Sequence, residues 1–424
     1  MNGRNKRTLR ILITGTNSTF DNGDAAMSSM AIKSLKNVFP SAKFIIGSTY
    51  RDGDSERYRH MLPSESNDIT IISAINSLKI PQTIRAIFVI LRYVPEFLSA
   101  DLCIDISGDG YSDVAQHSIA SSLTHSIQLF IALSLRKKIV ICAQSIGPFR
   151  NIFTRSFAKY VINRVNLVTV REEISKNYLR SLGITKPPVE VTGDLAFLLD
   201  PIPSEQAMQL LVNENVLVGN RILVGIAVSE IISNWAFPDI SDPRIKYNLY
   251  IDLMGKLADF LVETLNCVVI LIPQSVGPFA RHDDRIAMGN IYKRVRYRNS
   301  VAMINGQYTP QEIRGIIGQC RLLVSGKMHS AIAAVSMFVP VVILAYSFKT
   351  PGIFGRKLGI AEAIIDVRTT PSKEFLQKLL ARVGIVWDSR DDISRKLRIV
   401  IPQEKANAFL NAKLIEGLVE SMEI

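Results

Sequence analysis

Residues 139–149 read IVICAQSIGPF, and residues 269–279 read VILIPQSVGPF. Each stretch is an apolar run that leads into Gln-Ser-aliphatic-Gly-Pro-Phe. A Gly-Pro pair directly after a strand ends the backbone ladder and imposes a defined turn. Because this strand and turn occur once in each half of the chain, we interpret them as parts of two similar α/β domains. The alternative is a coincidence between two strand-end turns.

Short apolar runs rich in β-branched residues recur along the chain, and segments with helical periodicity separate them. Runs that are apolar at nearly every position are typical of strands buried on both faces of a parallel sheet. Strands that alternate with helices predict an α/β fold with crossover connections. The predicted strands span residues 9–14, 101–106, 139–143, 167–170, 222–228, 267–272, 321–324 and 341–345.

The segment DPIPS at residues 200–204 carries two prolines, which end regular structure, and it is the predicted linker. We therefore expect an N-terminal domain over 1–200 and a C-terminal domain over 205–400. Residues 401–424 are expected to form a helix packed on the body, because apolar residues recur there at helical spacing. These residues are Ala408, Leu410, Leu414, Leu418 and Met422.

The composition of the 424 residues, with 47% apolar and 21% charged residues, excludes disordered and collagen-like chains. The net charge of +12 divides into +7 before residue 201 and +5 after it, so no basic tail exists. A distributed basic excess favours anionic ligands or an anionic membrane surface and does not single out nucleic acid. We expect no nucleic-acid partner, and oligomeric state is left open.

The four cysteines are far apart in apolar runs and show no metal-ligand spacing. They predict free thiols in a reducing cytosol and no metal site. The first apolar run is too short for a signal peptide. The apolar stretch 331–346 is shorter than the roughly 20 residues of a spanning helix, and predicts a buried helix followed by a buried strand. Residues 84–98 fit either core packing or an interfacial helix, which allows peripheral contact with the inner face of the membrane.

Ligands of doubly wound sheets bind at the carboxyl ends of strands, near helix N-termini. The first such loop holds Asn22 and Asp24 before a helix expected near residue 25; both could contact a ligand, or Asp24 could only cap the helix. The loop after residues 101–106 holds Asp109, which could orient a substrate hydroxyl. A plain turn with a cap at Asp113 is its alternative.

A strand ends at Arg171, whose guanidinium could clamp a carboxylate or phosphate, or could pair with a neighbouring glutamate. The loop SGKMHS at 325–330 places Lys327 and His329 at a helix N-terminus, and Lys349 follows the next strand. A histidine beside an apolar helix is usually structural. Its position between two lysines favours a general acid or base near neutral pH, with the lysines holding an anion.

These loops together resemble the polysaccharide pyruvyl transferase family. The resemblance covers most of the chain, and its motifs are short but occur in the family's order. They are Asn22-Gly-Asp24, Ser107-Gly-Asp-Gly110, Gln144-Ser-Ile-Gly-Pro148, Arg171-Glu-Glu-Ile-Ser175, Gly193-Asp194, Ser325-Gly-Lys-Met-His329 and Lys349. The family is built as two Rossmann-like domains facing a cleft, similar to the glycosyltransferase B architecture, and we expect this fold here.

The resemblance implies transfer of the pyruvyl group of phosphoenolpyruvate to two hydroxyls of a sugar, forming a ketal and releasing phosphate, without a cofactor or metal. The acceptor would be a cell-surface polysaccharide or its lipid-linked precursor. His329 would be the acid–base group. Phosphoenolpyruvate would be held by Arg171, Lys327, Lys349, Ser325 and Gly326. Acceptor or loop candidates are Asn22, Asp24, Asp109, Gln144 and Gln274.

The chain departs from the family pattern at two places. Lys327 stands where the family usually has arginine, and Asp109 interrupts a loop that is commonly a glycine run. Two alternatives remain open: a glycosyltransferase that uses a nucleotide sugar, and a non-catalytic glycan-binding or assembly protein. The first would need an acidic residue for ribose, but no acidic residue follows Lys349 until Glu362.

Overall fold

The computed structural model describes residues 8–16, 18–48, 50–73, 94–114, 119–347 and 349–421. Contacts group the chain into two compact units. The second unit consists of Phe20–Ala26 and Leu199–Gln403, and the first of the remainder. The sequence-based boundary near residue 200 lies close to this division, whereas the assignment of Phe20–Ala26 to the second unit has no precedent in the sequence pattern.

The first unit is built on a seven-stranded parallel sheet in the order β3-β2-β1-β4-β5-β6-β7. Its inner strands are buried because nearly every side chain is apolar. The strands are β1 Arg10–Thr14, β2 Lys43–Ser48, β3 Ile69–Ser73, β4 Leu102–Asp105, β5 Lys138–Gln144, β6 Leu167–Val170 and β7 Val189–Val191. The helices are α1 Asn22–Val38, α2 Arg51–Met61, α3 94–99, α4 Ile119–Ser134, α5 Ile152–Ile162 and α6 Glu173–Leu182.

The second unit has a six-stranded parallel sheet in the order β10-β9-β8-β11-β12-β13. The strands are β8 Leu223–Ala227, β9 Val268–Ile272, β10 Val301–Met303, β11 Leu322–Ser325, β12 Val341–Ala345 and β13 Ile364–Asp366. The helices are α7 Ser204–Asn213, α8 Ile231–Trp235, α9 Pro243–Leu265, α10 Asp284–Tyr292, α11 Pro310–Ile317, α12 Met328–Ser336 and α13 Ser372–Asp388. Helix α14, Arg390–Glu420, begins in the second unit, and its residues from Glu404 belong to the first.

Both sheets reverse their strand order at the first strand, as in Rossmann folds, so the predicted fold class is confirmed for each unit. All eight predicted strands are present within two residues of their expected ends. The apolar stretch 331–346 is a buried helix and a buried strand, as predicted. Five strands have no counterpart in the sequence-based prediction: the inner strand β2 and the edge strands β3, β7, β10 and β13.

The two Gln-Ser-aliphatic-Gly-Pro-Phe turns have similar backbones, since Gly147 and Gly277 both have positive φ angles and both Gly–Pro bonds are cis. They do not occupy equivalent positions. The first follows β5, which lies beside β4, whereas the second follows β9, which lies beside β8 on the other side of the reversal. The two similar α/β domains inferred from this echo are confirmed, but the echo does not mark equivalent positions in them. Two independent strand-end turns account for it.

The C-terminal helix α14 begins at Arg390, well before the predicted tail, and continues through Pro402. Its buried apolar residues in the first unit are Ala408, Ala412, Ile415 and Val419. The predicted apolar stripe is wrong at Leu410, which is exposed. Positions four, seven and eleven residues after Ala408 face the unit, because α-helical residues share a face at steps of three and four.

None of the helices in the described parts of the chain is long and apolar enough to cross a membrane. All four cysteines are buried and unbonded to one another, and burial raises the pKa of the Cys103 and Cys142 thiols to about 12. The segment 84–98 was predicted as a core or interfacial helix. Its residues 84–93 lie outside the described part of the chain, and its residues 94–98 belong to α3.

The buried amide of Asn411 joins α14 to the ends of β6 and β7. Its oxygen accepts hydrogen bonds from the hydroxyls of Thr169 (2.5 Å) and Thr192 (2.8 Å), and its nitrogen donates to the carbonyl of Gly193 (3.0 Å). Asn411→Ala leaves these three groups without that partner, so we expect the free energy of unfolding to fall by about 2–4 kcal/mol in urea denaturation.

Lys413 provides the control, because it lies on the same helix in an exposed pair with Glu416. Lys413→Ala should change the free energy of unfolding by less than about 0.5 kcal/mol. Equal effects of the two substitutions would contradict the role given to Asn411.

Candidate active site

The loop between β11 and α12 is shaped by Ser325, which is fully buried. Its hydroxyl donates to the carbonyl of Lys327 (2.7 Å) and accepts from the amide of Lys327 (3.1 Å). A Cβ on Gly326 would lie 2.9 Å from the Cβ of Ser229 at the end of β8. Ser325 and Gly326 thus fix the loop, and their predicted role in holding a substrate directly stays untested.

The ammonium of Lys327 is held by two groups of the second unit. Its Nζ donates to the Ser275 hydroxyl (3.1 Å) and pairs with Oδ2 of Asp284 (3.1 Å). The same Ser275 hydroxyl donates to Oδ2 of Asp21 (2.5 Å). A cation, a hydroxyl and two carboxylates therefore form one connected cluster, which we call the Lys327 cluster (Asp21, Ser275, Asp284 and Lys327).

The charges of the Lys327 cluster determine one another. Burial favours neutral Lys327, but Asp284 and Asp21 outweigh it and raise the lysine pKa. Burial also favours neutral Asp21, but Lys327, the Ser275 hydrogen bond and His329 outweigh it and lower the pKa of this carboxyl. At Asp284 burial prevails over Lys327 and raises the pKa. Ionised Asp21 and charged Lys327 thus coexist in the site.

His329 is the second residue of α12, and its ring packs against the backbone of Gly23. A Cβ at Gly23 would lie 2.2 Å from Nδ1 of the imidazole, so only glycine fits there. Oδ1 of Asp21 accepts from the amides of Gly23 (2.8 Å) and Asp24 (3.2 Å) and so caps α1. The expected helix start near residue 25 is wrong, because α1 begins at Asn22. The capping alternative for Asp24 is also wrong, because Asp21 supplies the cap.

Gln274 connects three parts of the site. Its side-chain oxygen accepts a hydrogen bond from the Ser330 hydroxyl (2.6 Å). Its backbone amide donates to the carboxylate of Asp284 (3.0 Å), and its backbone carbonyl accepts from the backbone amide of Asn22 (2.9 Å). Among the predicted residues, the structure brings Asn22, Gln274, Lys327 and His329 together. Gln274 and Asn22 act here through contacts within the protein.

Three carboxylates of this region, those of Asp21, Asp284 and Glu230, escaped the sequence-based prediction. Asp284 starts α10, where an acidic residue is the ordinary choice at a helix N-terminus. Glu230 follows β8, and burial together with Asp284 raises the pKa of this carboxyl. The one sequence signal that could have pointed to Glu230 is its position after β8, because β8 and β11 are the two strands at which the strand order reverses. Lys349 is buried after β12, the strand next to β11.

Asp109 and Gln144 belong to the first unit. The side-chain amide nitrogen of Gln144 donates to the backbone carbonyl and to the carboxylate of Asp105 (3.2 Å each). The side chain of Gln144 is thereby engaged at the end of β4. Asp109 is half-buried in the same loop. Asp113, the alternative cap, accepts from the amides of Arg150 and Asn151 at the start of α5.

Arg171 is buried in the first unit with 1% of its surface exposed. Its guanidinium donates to the Ser145 hydroxyl (3.0 Å), to Asp194 (2.5 Å) and to the carbonyl of Gly108 (2.7 Å). Burial is outweighed by Asp194, which raises the pKa of Arg171. These contacts agree with the ion-pair alternative, with Asp194 as partner in place of the expected neighbouring glutamate. An anion-binding role of Arg171 stays a prediction.

The family model described as polysaccharide pyruvyl transferase matches residues 23–348, a span from Gly23 beside the histidine to the end of the loop after β12. The chain belongs to this family. Amylovoran biosynthesis protein AmsJ of Erwinia amylovora is 23% identical over 337 residues, which cover 78% of this chain and 77% of AmsJ. The resemblance stated from the motifs is thereby confirmed, together with a relative in polysaccharide biosynthesis.

Solved structures share the fold at low identity. A Listeria monocytogenes protein assigned as a UDP-N-acetylglucosamine 2-epimerase has a TM-score of 0.63 at 13% identity, covering 98% of this chain and 96% of its own. MnaA of S. aureus with UDP has a TM-score of 0.60 at 12% identity, with coverages of 96% and 94%. HepE of Anabaena with UDP and glucose has a TM-score of 0.57 at 15% identity, with coverages of 97% and 100%.

The contact between Gly23 and His329 gives a first test of the site. Gly23→Ala places a methyl group inside the imidazole position, so the ring must turn away from Asp21. We expect the His329 ring signals in NMR spectra to shift strongly. Gly289→Ala, in helix α10 with open space around its Cβ position, should leave these signals unchanged and stabilise the helix by about 0.5–1 kcal/mol. Unshifted His329 signals in Gly23→Ala would disprove the contact.

The charge balance of the Lys327 cluster gives a second test. Lys327→Met leaves Asp21 and Asp284 buried without their cation, which raises both carboxyl pKa values above those of the unfolded chain. The free energy of unfolding should fall by about 2–3 kcal/mol at pH 7, since the lysine is partly exposed.

A raised carboxyl pKa means that the folded variant binds protons more readily than the unfolded chain, so acid favours its folding. The deficit of Lys327→Met relative to the parent protein should therefore shrink between pH 7 and about pH 5 in urea denaturation. Lys293→Met, at an exposed lysine directly after α10, serves as control and should show no such recovery. A deficit independent of pH would contradict the assignment.

Proposed function

We propose that this member of the pyruvyl transferase family transfers the pyruvyl group of phosphoenolpyruvate to two hydroxyls of a sugar and releases phosphate. The sugar belongs to a cell-surface polysaccharide or a lipid-linked precursor, in the cytoplasm or at the inner face of the membrane. The observation that carries the proposal is the placement of His329 on Gly23 beside ionised Asp21, on the same helix terminus as Lys327.

In the proposed reaction, protonated His329 gives its proton to the methylene carbon of phosphoenolpyruvate, and one sugar hydroxyl adds to the neighbouring carbon. The proton of that hydroxyl returns to the imidazole. The second hydroxyl attacks the same carbon as its bond to the phosphate oxygen breaks, so the bonding electron pair and the second proton leave with phosphate. Asp21, held ionised, stabilises the imidazolium that the first step requires.

Phosphoenolpyruvate carries about three negative charges near pH 7, from a phosphate and a carboxylate. The N-terminus of α12 is the positive end of the helix dipole, which suits an anion. Lys349, after the neighbouring strand, is the second predicted cation. Arg171 is left out of the donor site because its guanidinium nitrogens are engaged within the first unit.

A nucleotide-sugar-dependent glycosyltransferase is the second candidate, because HepE, of similar fold, was solved with UDP and glucose. The two candidates differ in the donor. Incubation with phosphoenolpyruvate and a panel of glycans should release phosphate and add one acid-labile pyruvyl group to the sugar. Transfer from UDP-sugars, with none from phosphoenolpyruvate, would favour the second candidate. Glycan binding without turnover of either donor would favour an assembly protein.

His329→Ala should lower the rate of phosphate release by about 10²–10⁴-fold, as expected for loss of a general acid. Glycan binding, measured by calorimetry, should persist. The matched control is His60→Ala, which removes an exposed histidine on α2 and should leave the rate unchanged. Undiminished turnover in His329→Ala would overturn the acid–base assignment while leaving the donor question to the assay above.

A further inference from the structure

One surface of the first unit combines exposed apolar side chains with positive charge. From residue 114 to residue 171 the sequence contains eight lysines and arginines and no aspartate or glutamate. This range includes α4 and α5, which pack against each other through the rings of Phe130, Phe157 and Tyr160. Two of these cations, Arg155 and Lys159, lie on α5, and Arg150 and Arg164 lie just before and after it, so the positive charge of this surface belongs to α5 and its ends.

Helix α5 shows two faces. Its inner face, with Ala158, Val161 and Ile162, belongs to the core of the first unit. Its outer face exposes 69% of Ile152, 78% of Phe153 and 45% of Tyr160. Large apolar side chains exposed in the first turn of α5, and again at Tyr160 two turns later, are costly in water unless a partner covers them.

The flanks of this outer face are basic. Arg155 and Lys159 are exposed and follow Ile152 by three and seven residues, which places them on adjoining positions of the helix. Arg164 stacks on the ring of Tyr160 at 3.6 Å. The carboxylate of Asp113 at the start of α5 accepts hydrogen bonds from the amides of Arg150 and Asn151 and is thereby engaged.

Helix α4 extends the apolar surface without adding charge. Its sequence IASSLTHSIQLFIALS contains no lysine, arginine, aspartate or glutamate. Phe130 is 39% exposed, and Ile127, one turn before it, is half-buried. A surface helix usually carries charges on its outer face. The outer side of α4 therefore suits an apolar environment better than water.

We propose that the outer face of α4 and α5 docks on the surface of an anionic lipid bilayer. The exposed apolar residues would enter the boundary between headgroups and acyl chains, while Arg155, Lys159 and Arg164 meet lipid phosphates. A second copy of the chain is a poorer occupant, because an isologous contact brings two basic faces together. The inference goes beyond the proposed function, since binding requires no turnover.

Flotation of the full chain with vesicles tests this surface. The protein should float with vesicles that contain phosphatidylcholine and about one third phosphatidylglycerol, and should stay behind with phosphatidylcholine alone at low salt. Ile152→Ser/Phe153→Ser should lower the partition coefficient at least about ten-fold, because two inserted side chains are lost. Arg155→Gln/Lys159→Gln should lower it about five-fold per cation, and less at high salt.

The matched controls lie on the second unit. Ile399→Ser removes an isoleucine that is 77% exposed on α14, and Lys256→Gln/Lys293→Gln removes two exposed lysines. Both should float like the parent protein. His329→Ala should also float, which separates this inference from the proposed chemistry.

Absence of flotation with anionic vesicles would overturn the proposal, as would equal flotation of the α5 variants and the parent protein. If the parent protein instead self-associates in sedimentation experiments and Ile152→Ser/Phe153→Ser abolishes this, the face is an interface between copies. Binding to nucleic acid in place of vesicles, lost in the same variants, would likewise refute the lipid assignment. Unchanged circular dichroism and melting temperature of each variant would attribute any loss to the surface itself.

Discussion

The geometry of the second unit's site depends on the ion pair between Lys327 and Asp284, shared through Ser275 with Asp21. Burial alone would neutralise each of these groups, and each keeps or loses its charge according to the others. A hydroxyl suits the central position because it accepts from the ammonium while donating to a carboxylate. The loop after β11, the turn after β9 and the start of α1 are thereby held together, although the sequence separates Asp21 from Ser275 by 254 positions. The position of His329 against Gly23 follows from this arrangement, since Asp21 also fixes the amide of Gly23.

The first unit uses the same chemistry at a different place in its sheet. Ser145 accepts from Arg171 and donates to Glu172, just as Ser275 lies between Lys327 and Asp21. The two serines follow strands that are not topologically equivalent. The Gln-Ser-aliphatic-Gly-Pro turn is therefore best understood as a local structure that places a hydroxyl at a strand end, where it can join a buried cation to a carboxylate. Its recurrence reports a shared local requirement and carries no information about duplication of the domains.

The same difference between local and long-range structure determines which features could be predicted from the sequence. Strands such as β5 and β12 were predictable because their apolar runs record burial on both faces, which is a local property. The edge strands β7 and β10 have three residues each, too few for a periodic signal. Asp21 and Asp284 were missed because an acidic residue at a helix start is ordinary, and only long-range contacts give these two a further role. Arg171 was recognised as exceptional, but its partner Asp194 lies 23 positions away after another strand, which no local pattern reveals.

The lysine at position 327 has a consequence for how the site can receive an anion. Its ammonium is a compact charge with three donors, and Ser275 and Asp284 already take up contacts to it. An arginine, which the family usually carries there, has five donors in a planar fork and can hold a carboxylate while facing an anion bidentately. With Lys327 largely compensated by Asp21 and Asp284, the charge available to a trianionic donor must come from elsewhere. In the proposed donor site this charge would come from the N-terminus of α12, the ammonium of Lys349 and a proton on His329. Protonation of His329 thus serves two ends in the proposed reaction, because the same proton that attracts the donor is the one that the methylene carbon must receive.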